Sequence, residues 1–541
     1  MEALGEKLET MPRVPLADEH VAMLHECGTE QSYAAGQMVA EAGDTMDRFV
    51  YVLEGEIEVV DPFSGGRLLE STLGPTQFMG ELAFLSGGTF TLPMRAAKAT
   101  RTLEVPRDEM LALMARVPEL SDHVIRVFSA RRRKQFELRN SSIKLIGADR
   151  DRAVQRVEQF LSRNRIPFQG IDMDGSDEET LEACNLANHQ PSVILGQGRV
   201  MADPTPRKVA QYLGLDLDVC RKTLYDLLIV GAGPAGVAAS VYAGSEGLRA
   251  LTIEDTAIGG QAGTSSRIEN YMGFPTGISG ADLVYRGQIQ AMKFGTRFAM
   301  PRRVEGVARR ADGTFCVTLD DDDEVCARSI LIATGVQYRR LPLDRLEDFE
   351  GAGVFYAATD MEARFCRNTD AVVIGGGNSA GQAAMYLSRT AAHVHLVVRG
   401  DSLAASMSSY LTQRLEADPR VTIHYLTEVT ALHGEDYLEA VTFKTAEGER
   451  RIATRALFIM IGAAPNTGWL SGMAETDSQG FVKTGASVGR ETPFETGADG
   501  IFAVGDVRSG SVKRVASAVG EGSVVVSRIW EYLDRLPDPA R

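Results

Sequence analysis

Residues 226–254 read DLLIVGAGPAGVAASVYAGSEGLRALTIE, and this stretch decides the fold of the C-terminal half of the chain. The apolar run Leu227 to Val230 has the length of a buried strand and leads into Gly231, Gly233 and Gly236. Glycines at this spacing permit a sharp turn, a close backbone approach to a pyrophosphate, and tight packing of the next helix on the strand. The pattern therefore predicts a strand, a dinucleotide-binding turn and a helix.

A carboxylate ends the next predicted strand, because Glu254 follows Gly236 by eighteen residues. At that position it can accept a hydrogen bond from a ribose 2′-hydroxyl and would repel a 2′-phosphate, which favours FAD or NAD over NADP. We expect Pro234 and Ala235, inside the fingerprint, to line the same cofactor site.

A second fingerprint lies in the segment AVVIGGGNSAGQAAMYL, again between an apolar strand and a predicted helix. Its three positions are Gly375, Gly377 and Ala380, and Asn378 and Ser379 stand between the last two. Two dinucleotide folds in one chain predict a flavin and a nicotinamide cofactor that meet face to face.

Length and charge limit the protein class. A chain of 541 residues is too long for one core, so three or four domains are expected. No apolar run reaches membrane-spanning length and the N-terminus lacks a secretion signal's apolar core, which predicts a cytoplasmic protein without a membrane partner. The net charge of −16 argues against nucleic acid as the main partner. The basic run Arg131 to Lys134 is expected to form the solvated face of a helix.

The cysteines predict neither a metal site nor a vicinal redox pair. They stand at positions 27, 184, 220, 316, 326 and 366, and no two have the CxxC spacing. Cys316 and Cys326 flank an acidic turn and could lie close together on a hairpin, where we expect reduced thiols in a cytosolic protein.

Short alternating runs separated by glycine fill residues 32–105 and predict a β-barrel or jelly roll, followed by helices near 107–115 and 120–138. Gly43, Gly55 and the cassette FMGELA at 78–83 make residues 1–140 resemble a cyclic-nucleotide-binding domain. The resemblance implies a nucleotide site at Gly80, Glu81 and Leu82, with Glu81 on the ribose hydroxyl.

The family's phosphate-binding arginine is replaced by Phe90 in this chain, and Arg95 is the alternative cation nearby. A buried phosphate without a charged partner is costly. Binding of a cyclic-nucleotide-like ligand is therefore left open by the sequence.

Residues 141–222 show strand, helix, strand, helix, hairpin and helix patterns, and they resemble a small thioredoxin or glutaredoxin fold. Where that family carries its CxxC, after the first strand, this chain reads GADRDRA. The resemblance therefore implies a redox-inert spacer or docking module.

From Tyr225 to the C-terminus the chain resembles the low-molecular-weight thioredoxin reductase family, through GGQ at 259–261, the segments IENYMGFP, LIATG and GIFAVGDV, and KRVASAVGEG. The resemblance implies an FAD domain at 223–344 and 466–541 around an inserted NAD(P)H domain at 345–465, and a homodimer. Beyond the first fingerprint and Glu254, it places FAD at Gly260, Gln261, Asn270, Ala333, Thr334, Gly335, Gly505, Asp506, Arg514, Val515 and Ala516.

The nicotinamide side of the resemblance adds Arg399, Ile461 and Gly462 to the second fingerprint. The family's NADPH-specific pattern has further arginines after the strand HVHLVV, but this chain keeps only Arg399 and has Gly400 and Ala404 instead. One arginine can take a 2′-phosphate, so NADPH is slightly favoured and NADH stays open.

The family's redox CxxC is replaced around Ala357 and Asp360, and no catalytic side chain is predicted. We expect electrons to pass from NAD(P)H through FAD to an acceptor outside the chain. Two alternatives stay open: a thioredoxin-disulfide reductase that uses cysteines of a partner, and a ligand-gated redox sensor controlled by the barrel.

Overall fold

The computed structural model describes residues 14–138, 141–148, 151–171, 191–196, 199–215, 223–265, 268, 270–350, 352–356, 358, 360–404, 406–435 and 437–536. The prediction for Ala357 therefore lies outside the described residues, as do the predicted helix over EETLEACNLA and the cysteines at 184 and 220.

The N-terminal part is a double-layered antiparallel β structure closed by helices. One sheet has the order β1-β7-β3-β5 and the other β2-β6-β4. Phe49 and Phe78 of the first sheet, Phe84 of the helix Ala83–Ser86 and Phe128 of the last helix are fully buried in one aromatic cluster. The elements are α1 Asp18–Cys27, β1 Thr29–Tyr33, β2 Met38–Ala40, β3 Arg48–Glu54, β4 Ile57–Val59, β5 Phe78–Met79, α2 Ala83–Ser86, β6 Met94–Ala96, β7 Thr100–Pro106, α3 Arg107–Arg116 and α4 Pro118–Leu138.

The next part is a small α/β unit with the sheet order β11-β10-β8-β9. Strands β8 and β9 are parallel, whereas β10 runs antiparallel to β8 and β11. Asp151 begins the first helix, because its carboxylate accepts the backbone N–H groups of Ala153 and Val154. The elements are β8 Ile143–Ile146, α5 Arg152–Arg163, β9 Gln169–Ile171, β10 Ser192–Leu195, β11 Arg199–Val200 and α6 Pro206–Tyr212.

The C-terminal half contains two parallel sheets. The first has the order β14-β13-β12-β17-β16-β15, with β28 beside β17, and its five parallel strands end at one edge. Its elements are β12 Leu224–Val230, α7 Pro234–Ser245, β13 Ala250–Ile253, α8 Gly280–Lys293, β14 Arg297–Ala299, β15 Val304–Arg309, β16 Phe315–Leu319, β17 Glu324–Ile332, and, after the insertion, β28 Ile501–Ala503 and α13 Val515–Asp534.

The inserted unit is joined to this sheet by two short antiparallel strands, β18 Val336–Tyr338 and β27 Ala463–Pro465. Its parallel sheet has the order β19-β26-β20-β21-β22, and a three-stranded antiparallel sheet, β23-β24-β25, packs beside it. The elements are α9 Leu346–Phe349, β19 Val354–Phe355, α10 Asp360–Ala363, β20 Asp370–Ile374, α11 Asn378–Leu387, β21 His393–Val397, α12 Ser409–Ala417, β22 Val421–His424, β23 Glu428–His433, β24 Ala440–Thr445, β25 Gly448–Ala453 and β26 Ala456–Ile459. Short 3-10 helices lie at Ala262–Thr264, Arg364–Cys366, Gly468–Leu470, Gly485–Val488 and Gly505–Val507.

The expected reduced state of Cys316 and Cys326 is wrong, because the structure joins the two sulfurs in a disulfide. The residues are directly opposed on β16 and β17 with their Cα atoms 4.1 Å apart, which brings the side chains within bonding distance. Glu324 lies next to the pair and completes a group of potential metal ligands, but each sulfur already has a covalent partner.

The expected solvated face over Arg131 to Lys134 is also wrong. Successive residues of a helix point about 100° apart, so four in a row cannot share one face. Arg132 is largely buried against Glu81, and Arg131 and Lys134 line a cavity of the barrel. Arg133, paired with Glu137, is the member of the run that lies on the outer face.

The helices of the described chain include none that is long and apolar enough to cross a membrane.

Candidate functional site

The first fingerprint forms a tight cradle between β12 and α7. Gly231 has a positive φ of 102°, and a side chain there would meet the backbone oxygen of Ala333 at 2.5 Å. A Cβ on Gly236 would lie 1.9 Å from the oxygen of Gly231, so the helix sits directly on the turn. The space in front of Gly233, the N-cap residue of α7, is open. Because no side chain caps this helix and Pro234 occupies its first turn, its free N–H groups face that open space.

Glu254 closes the other side of the cradle. Its carboxylate is buried and accepts the backbone N–H of Ala232 at 2.8 Å, together with those of Thr256 and Ala257. Burial raises the pKa of Glu254 to about 8, and the neighbouring Asp255 acts in the same direction while the backbone N–H groups oppose it. A hydroxyl donor beside this carboxylate would favour its charged form, which fits the ribose contact expected from the sequence.

The C-terminal segment also contacts the first cradle. A Cβ on Gly505 would lie 3.0 Å from Ala235, and one on Gly522 would lie 2.2 Å from the oxygen of Ala235. The first turn of α7, the 505–507 turn and α13 are therefore in contact. Burial raises the pKa of Asp506, and Lys513 opposes the shift.

Helix α13 begins beside this contact with unoccupied N–H groups. Arg514 is its N-cap and makes no side-chain capping bond, so the N–H groups at Val515 and Ala516 are available to an acceptor. This helix end, like that of α7, carries a partial positive charge that suits an anionic or electron-rich ligand.

Several predicted FAD residues connect the cradle to the linker strands. Gly260, with a φ of 52°, brings its backbone against Gly233, and the amide of Gln261 donates to the Val336 oxygen at 2.6 Å. Thr334 donates to the Asn466 oxygen at 2.8 Å, next to Gly335, whose φ is 60°. Asn270 is exposed, so the structure does not bring its side chain into this contact set.

The second fingerprint has the same local construction in the inserted unit. Gly375 has a φ of 143°, and a Cβ there would lie 2.4 Å from the Met460 oxygen and 3.0 Å from the Ala380 side chain. Gly377 begins α11 without a side-chain cap. The Asn378 side chain is held against the Ser408 backbone, since its oxygen accepts the Ser408 N–H at 2.8 Å. Ser379 is exposed.

The edge of the second cradle carries the remaining nicotinamide residues. Arg399 follows β21 and is exposed at the strand end, where a 2′-phosphate could reach it. Gly462, with a φ of 92°, follows Ile461, and its backbone oxygen accepts the backbone N–H of Arg339, which follows the other linker strand. The nicotinamide residues and the FAD residues are therefore joined by the linker pair.

Between the cradles, the segment expected to have lost the redox cysteines holds one thiol. Cys366 is fully buried and donates to the Ala363 oxygen, and burial raises its pKa to about 11. A thiol in this state is a poor nucleophile at neutral pH. Asp360 begins α10 in the same segment.

The disulfide lies at the far end of the FAD sheet. Cys326 precedes Ala333 by seven residues on β17, which places it roughly 23 Å from the cradle edge at the rise of an extended strand. Its strand partner is Leu224, at the start of β12, whereas Gly231 follows the end of that strand.

Two features of the site were missed by reasoning from sequence. Glu521 of α13 accepts the Gly505 N–H at 2.6 Å and pairs with Arg508, so it fixes the turn that carries Asp506. Tyr338 of the linker stacks on Tyr356 with ring centroids 5.8 Å apart, and the Tyr356 hydroxyl donates to Glu350. Glu521, the acidic residue within GEG, was a sequence signal for the first of these features. No sequence pattern indicated the tyrosine stack.

The barrel has its own cavity at the predicted nucleotide cassette. Gly80 and Glu81 line it, and Leu82 is buried beside them. Glu81 does not face an open ribose site, because its carboxylate accepts the Thr91 hydroxyl and pairs with Arg132 at 2.9 Å. Phe90 forms part of the wall, and Arg95, the alternative cation, is turned away to Glu58.

The cofactor groups fit this chain. Open space faces Gly233, while the glycines on either side of it allow no side chain, and the buried acceptor Glu254 stands at the ribose position. A second cradle of the same construction lies in the inserted unit, which two linker strands join to the first sheet. This combination defines an FAD-dependent oxidoreductase that uses a pyridine nucleotide.

Comparison with known proteins gives the family. Residues 225–522 match the model of the pyridine nucleotide-disulphide oxidoreductases, and residues 30–117 match the cyclic nucleotide-binding domain. The chain belongs to the pyridine nucleotide-disulphide oxidoreductase family and is a thioredoxin reductase-like, FAD-dependent enzyme.

The relatives cover the C-terminal half of the chain. It is 36% identical over 317 residues to a thioredoxin reductase of Treponema pallidum, covering 58% of this chain and 99% of the relative. It is 34% identical to a thioredoxin reductase of Streptomyces clavuligerus, covering 58% of this chain and 95% of the relative. The crystal structure of Lactococcus lactis thioredoxin reductase superposes with a TM-score of 0.53 at 30% identity, over 58% of this chain and all of that one. Thioredoxin reductases use FAD and NADPH.

Proposed function

We propose that this enzyme passes electrons from NADPH through FAD to an acceptor outside its own chain, and that the N-terminal barrel regulates it. The observation that carries the proposal is the segment between the two cradles, where the described residues supply a single, buried thiol at Cys366. Dithiol exchange needs an attacking thiolate and a resolving partner. The disulfide Cys316–Cys326 is roughly 23 Å from the cradle edge along β17, too far for direct exchange with the cofactor site.

The chain's residues bind and orient rather than donate protons. Bound FAD and NADPH would supply the hydride and electron chemistry themselves. The α7 N-terminus with Gly231, Gly233 and Gly236 would hold the pyrophosphate, and Glu254 would hold the ribose. The α13 N-terminus at Arg514, Val515 and Ala516 would stabilise negative charge on the flavin ring, and Asp506 would accept from the ribityl chain.

We propose that Arg399 selects NADPH over NADH. The exposed guanidinium two residues after the end of β21 suits a 2′-phosphate, whereas the strand end of the first cradle carries the carboxyl group of Glu254. We expect Arg399→Ala to raise the KM for NADPH about tenfold and leave that for NADH unchanged. Arg420→Ala, at an exposed arginine beside β22, is the matched control.

The proposed organisation keeps the boundaries expected from the sequence: a cyclic-nucleotide-binding-like domain at 1–140, a thioredoxin-like module at 141–222, an FAD domain at 223–344 and 466–541, and an NAD(P)H domain at 345–465. The sheet order β11-β10-β8-β9, with β8 and β9 parallel, supports the thioredoxin-like module. We further propose a cytoplasmic homodimer, which rests on the family likeness.

The test is anaerobic titration of the purified flavoprotein with NADPH and with NADH, followed by addition of acceptors. We expect NADPH to bleach the flavin, and an artificial quinone to restore its colour quickly. Oxidised thioredoxin alone should not restore it, and Cys366→Ser should behave like the native chain within about twofold.

Each other result names a different function. Rapid reduction of thioredoxin by this chain alone would overturn the external-acceptor proposal. Reduction of thioredoxin only when a dithiol partner protein is added would favour the partner-cysteine alternative. A flavin that neither nicotinamide bleaches would favour the redox sensor, for which the barrel cavity is the ligand site.

A further inference from the structure

The N-terminal barrel encloses a cavity of about 120 Å³. Its walls come from strands β4, β5 and β6 and from the loops beside them, and they are mainly apolar, with Met46, Met79, Phe90, Leu92 and Met94 among them. An apolar cavity of roughly 150 Å³ in another protein holds benzene, so this chamber suits an apolar group of about six heavy atoms.

The polar ends of a cyclic nucleotide have no receptor on these walls. The Glu81 carboxylate is already bound by the Thr91 hydroxyl at 3.2 Å and by Arg132 at 2.9 Å. Phe90 is 5% exposed and presents an apolar ring to the cavity. Such a wall offers a phosphate neither a charge nor a hydrogen bond to replace those it loses from water.

The cations of the cavity come instead from one helix that covers its opening. Arg131, Lys134 and Gln135 of α4 line it, one turn apart. Arg131 also donates to the Gly80 oxygen at 3.0 Å, which holds its guanidinium at the cassette. The cavity thus has an apolar interior and a positively charged cover.

Gln135 adds a polar side chain to the part of α4 that lines the cavity. Its side-chain oxygen is buried and has no hydrogen-bond partner among the described residues, although the residue lines the cavity. That oxygen is an acceptor, so the hydroxyl of a hydroxylated acid or a water would satisfy it.

We infer that the barrel binds a small apolar carboxylic acid, with its hydrocarbon body among the methionines and Phe90 and its carboxylate on Lys134 and Arg131. A medium-chain fatty acid and a hydroxylated benzoic acid share this chemistry, and each has an apolar part of about six or seven carbons. The inference deepens the proposed regulation by the barrel, and binding itself does not depend on the oxidoreductase activity.

A route from this site to the flavin domain is present. Arg132, the partner of Glu81, lies near Tyr285 of α8, and burial raises the pKa of that tyrosine to about 12. Helix α8 is in turn close to the cradle, since a Cβ on Gly287 would lie 2.6 Å from Val237 of α7. A carboxylate bound at α4 would act on the same helix that carries Arg132.

The test is isothermal titration calorimetry of the full-length flavoprotein with octanoate, 3-hydroxybenzoate, octanol and cyclic AMP. We expect one or both acids to bind, each at least about tenfold more tightly than octanol or cyclic AMP. The ratio between the two acids distinguishes a chain-shaped from a ring-shaped ligand. Lys134→Gln should weaken the acids about tenfold and leave octanol unchanged.

Arg133→Gln is the matched control, because it removes a charge from the same helix at a residue on the outer face, paired with Glu137. Retained flavin absorbance shows that each variant is folded, and the comparison of octanoate with octanol needs no variant. Tighter binding of cyclic AMP, equal binding of octanoate and octanol, no binding of either acid, or equal losses in both variants would overturn the inference. Because heat rather than turnover is measured, an inactive flavin would not affect the result.

Discussion

Close backbone contacts, and not only the preference of turns for glycine, exclude other residues from the glycine positions of the first cradle. Gly236 has an ordinary helical backbone, yet a methyl group there would lie 1.9 Å from the Gly231 oxygen. The backbone of α7 would have to move away from the turn, and the pyrophosphate position would move with it.

We predict that Gly236→Ala lowers FAD content at least tenfold, measured as flavin absorbance per protein after purification. Gly520→Ala is the matched control, because Gly520 is also helical and a Cβ there meets nothing within 4 Å. Helix propensity alone would make both changes slightly stabilising. Equal FAD content in the two variants would contradict the close-contact explanation.

Glu254 makes the stability of the flavin-free protein depend on pH. Its pKa is raised from an ordinary value of 4.5 to about 8 by burial, so the folded state holds a proton that the unfolded state releases between these values. Stability from this group is therefore full below about pH 4.5 and is lost as the pH rises through about 8.

We predict that Glu254→Gln flattens the fall in melting temperature of flavin-free protein between about pH 5 and pH 8. The glutamine oxygen can still accept the Ala232 N–H, so the cradle keeps its shape. Glu246→Gln, at an exposed glutamate that follows the C-terminal end of α7, is the control. An unchanged slope in the glutamine variant would show that Glu254 is not the group responsible.

At the scale of elements, the β15–β16–β17 layer carries a stabilising disulfide that lies far from the cofactor cradle. The disulfide closes a short loop between β16 and β17, and such a loop restricts the unfolded chain by about 2–3 kcal/mol. The cradle lies at the opposite end of β17.

We predict that the double change Cys316→Ser and Cys326→Ser lowers the melting temperature by a few degrees and leaves NADPH oxidation with an artificial acceptor unchanged. Reduction of the native protein by dithiothreitol should give the same melting temperature as the variant, with Cys366→Ser as a control that retains the cross-link. A large loss of turnover in the double variant would instead make this pair part of the electron path.

At the scale of the whole molecule, the barrel is packed against the FAD domain rather than tethered to it. Tyr285, Ile289 and Met292 lie on one stripe of α8 and belong to, or pack on, the same apolar cluster as the barrel core. Lys293 at the end of this helix pairs with Asp122 of α4 at 2.7 Å. The middle module reaches α8 as well, through the pair Arg165–Asp282.

We predict that the barrel and the FAD domain unfold together in differential scanning calorimetry, and that Ile289→Asp splits them into two transitions. Ile289 is 4% exposed, and a charge placed there would lack a partner. Gln290→Asp, at the exposed next position, should keep a single transition within about 0.5 kcal/mol of the native stability. Two transitions already in the native protein would show that the domains are not coupled.

The sequence by itself determined the parts of this protein that depend on neighbouring residues. The two glycine fingerprints, the strands before them and the helices after them are local patterns, because a turn of this kind constrains the backbone within a few residues. The structure brings Glu254 next to this turn for the same reason, since one strand and one helix fix its distance from Gly231. The family comparisons confirm the enzyme class and the cyclic nucleotide-binding domain that these patterns indicated.

Only the tertiary structure decided which side chains face one another across distant elements. The run Arg131 to Lys134 is uniformly basic in sequence, but helix rotation and packing against the barrel direct Arg132 to Glu81 and Lys134 to the cavity. The register of β16 and β17 places Cys316 directly opposite Cys326. The stack of Tyr338 on Tyr356 depends on how the linker packs against the inserted unit. Such contacts depend on the relative placement of whole elements, and that placement is set by burial summed over many residues rather than by any local pattern.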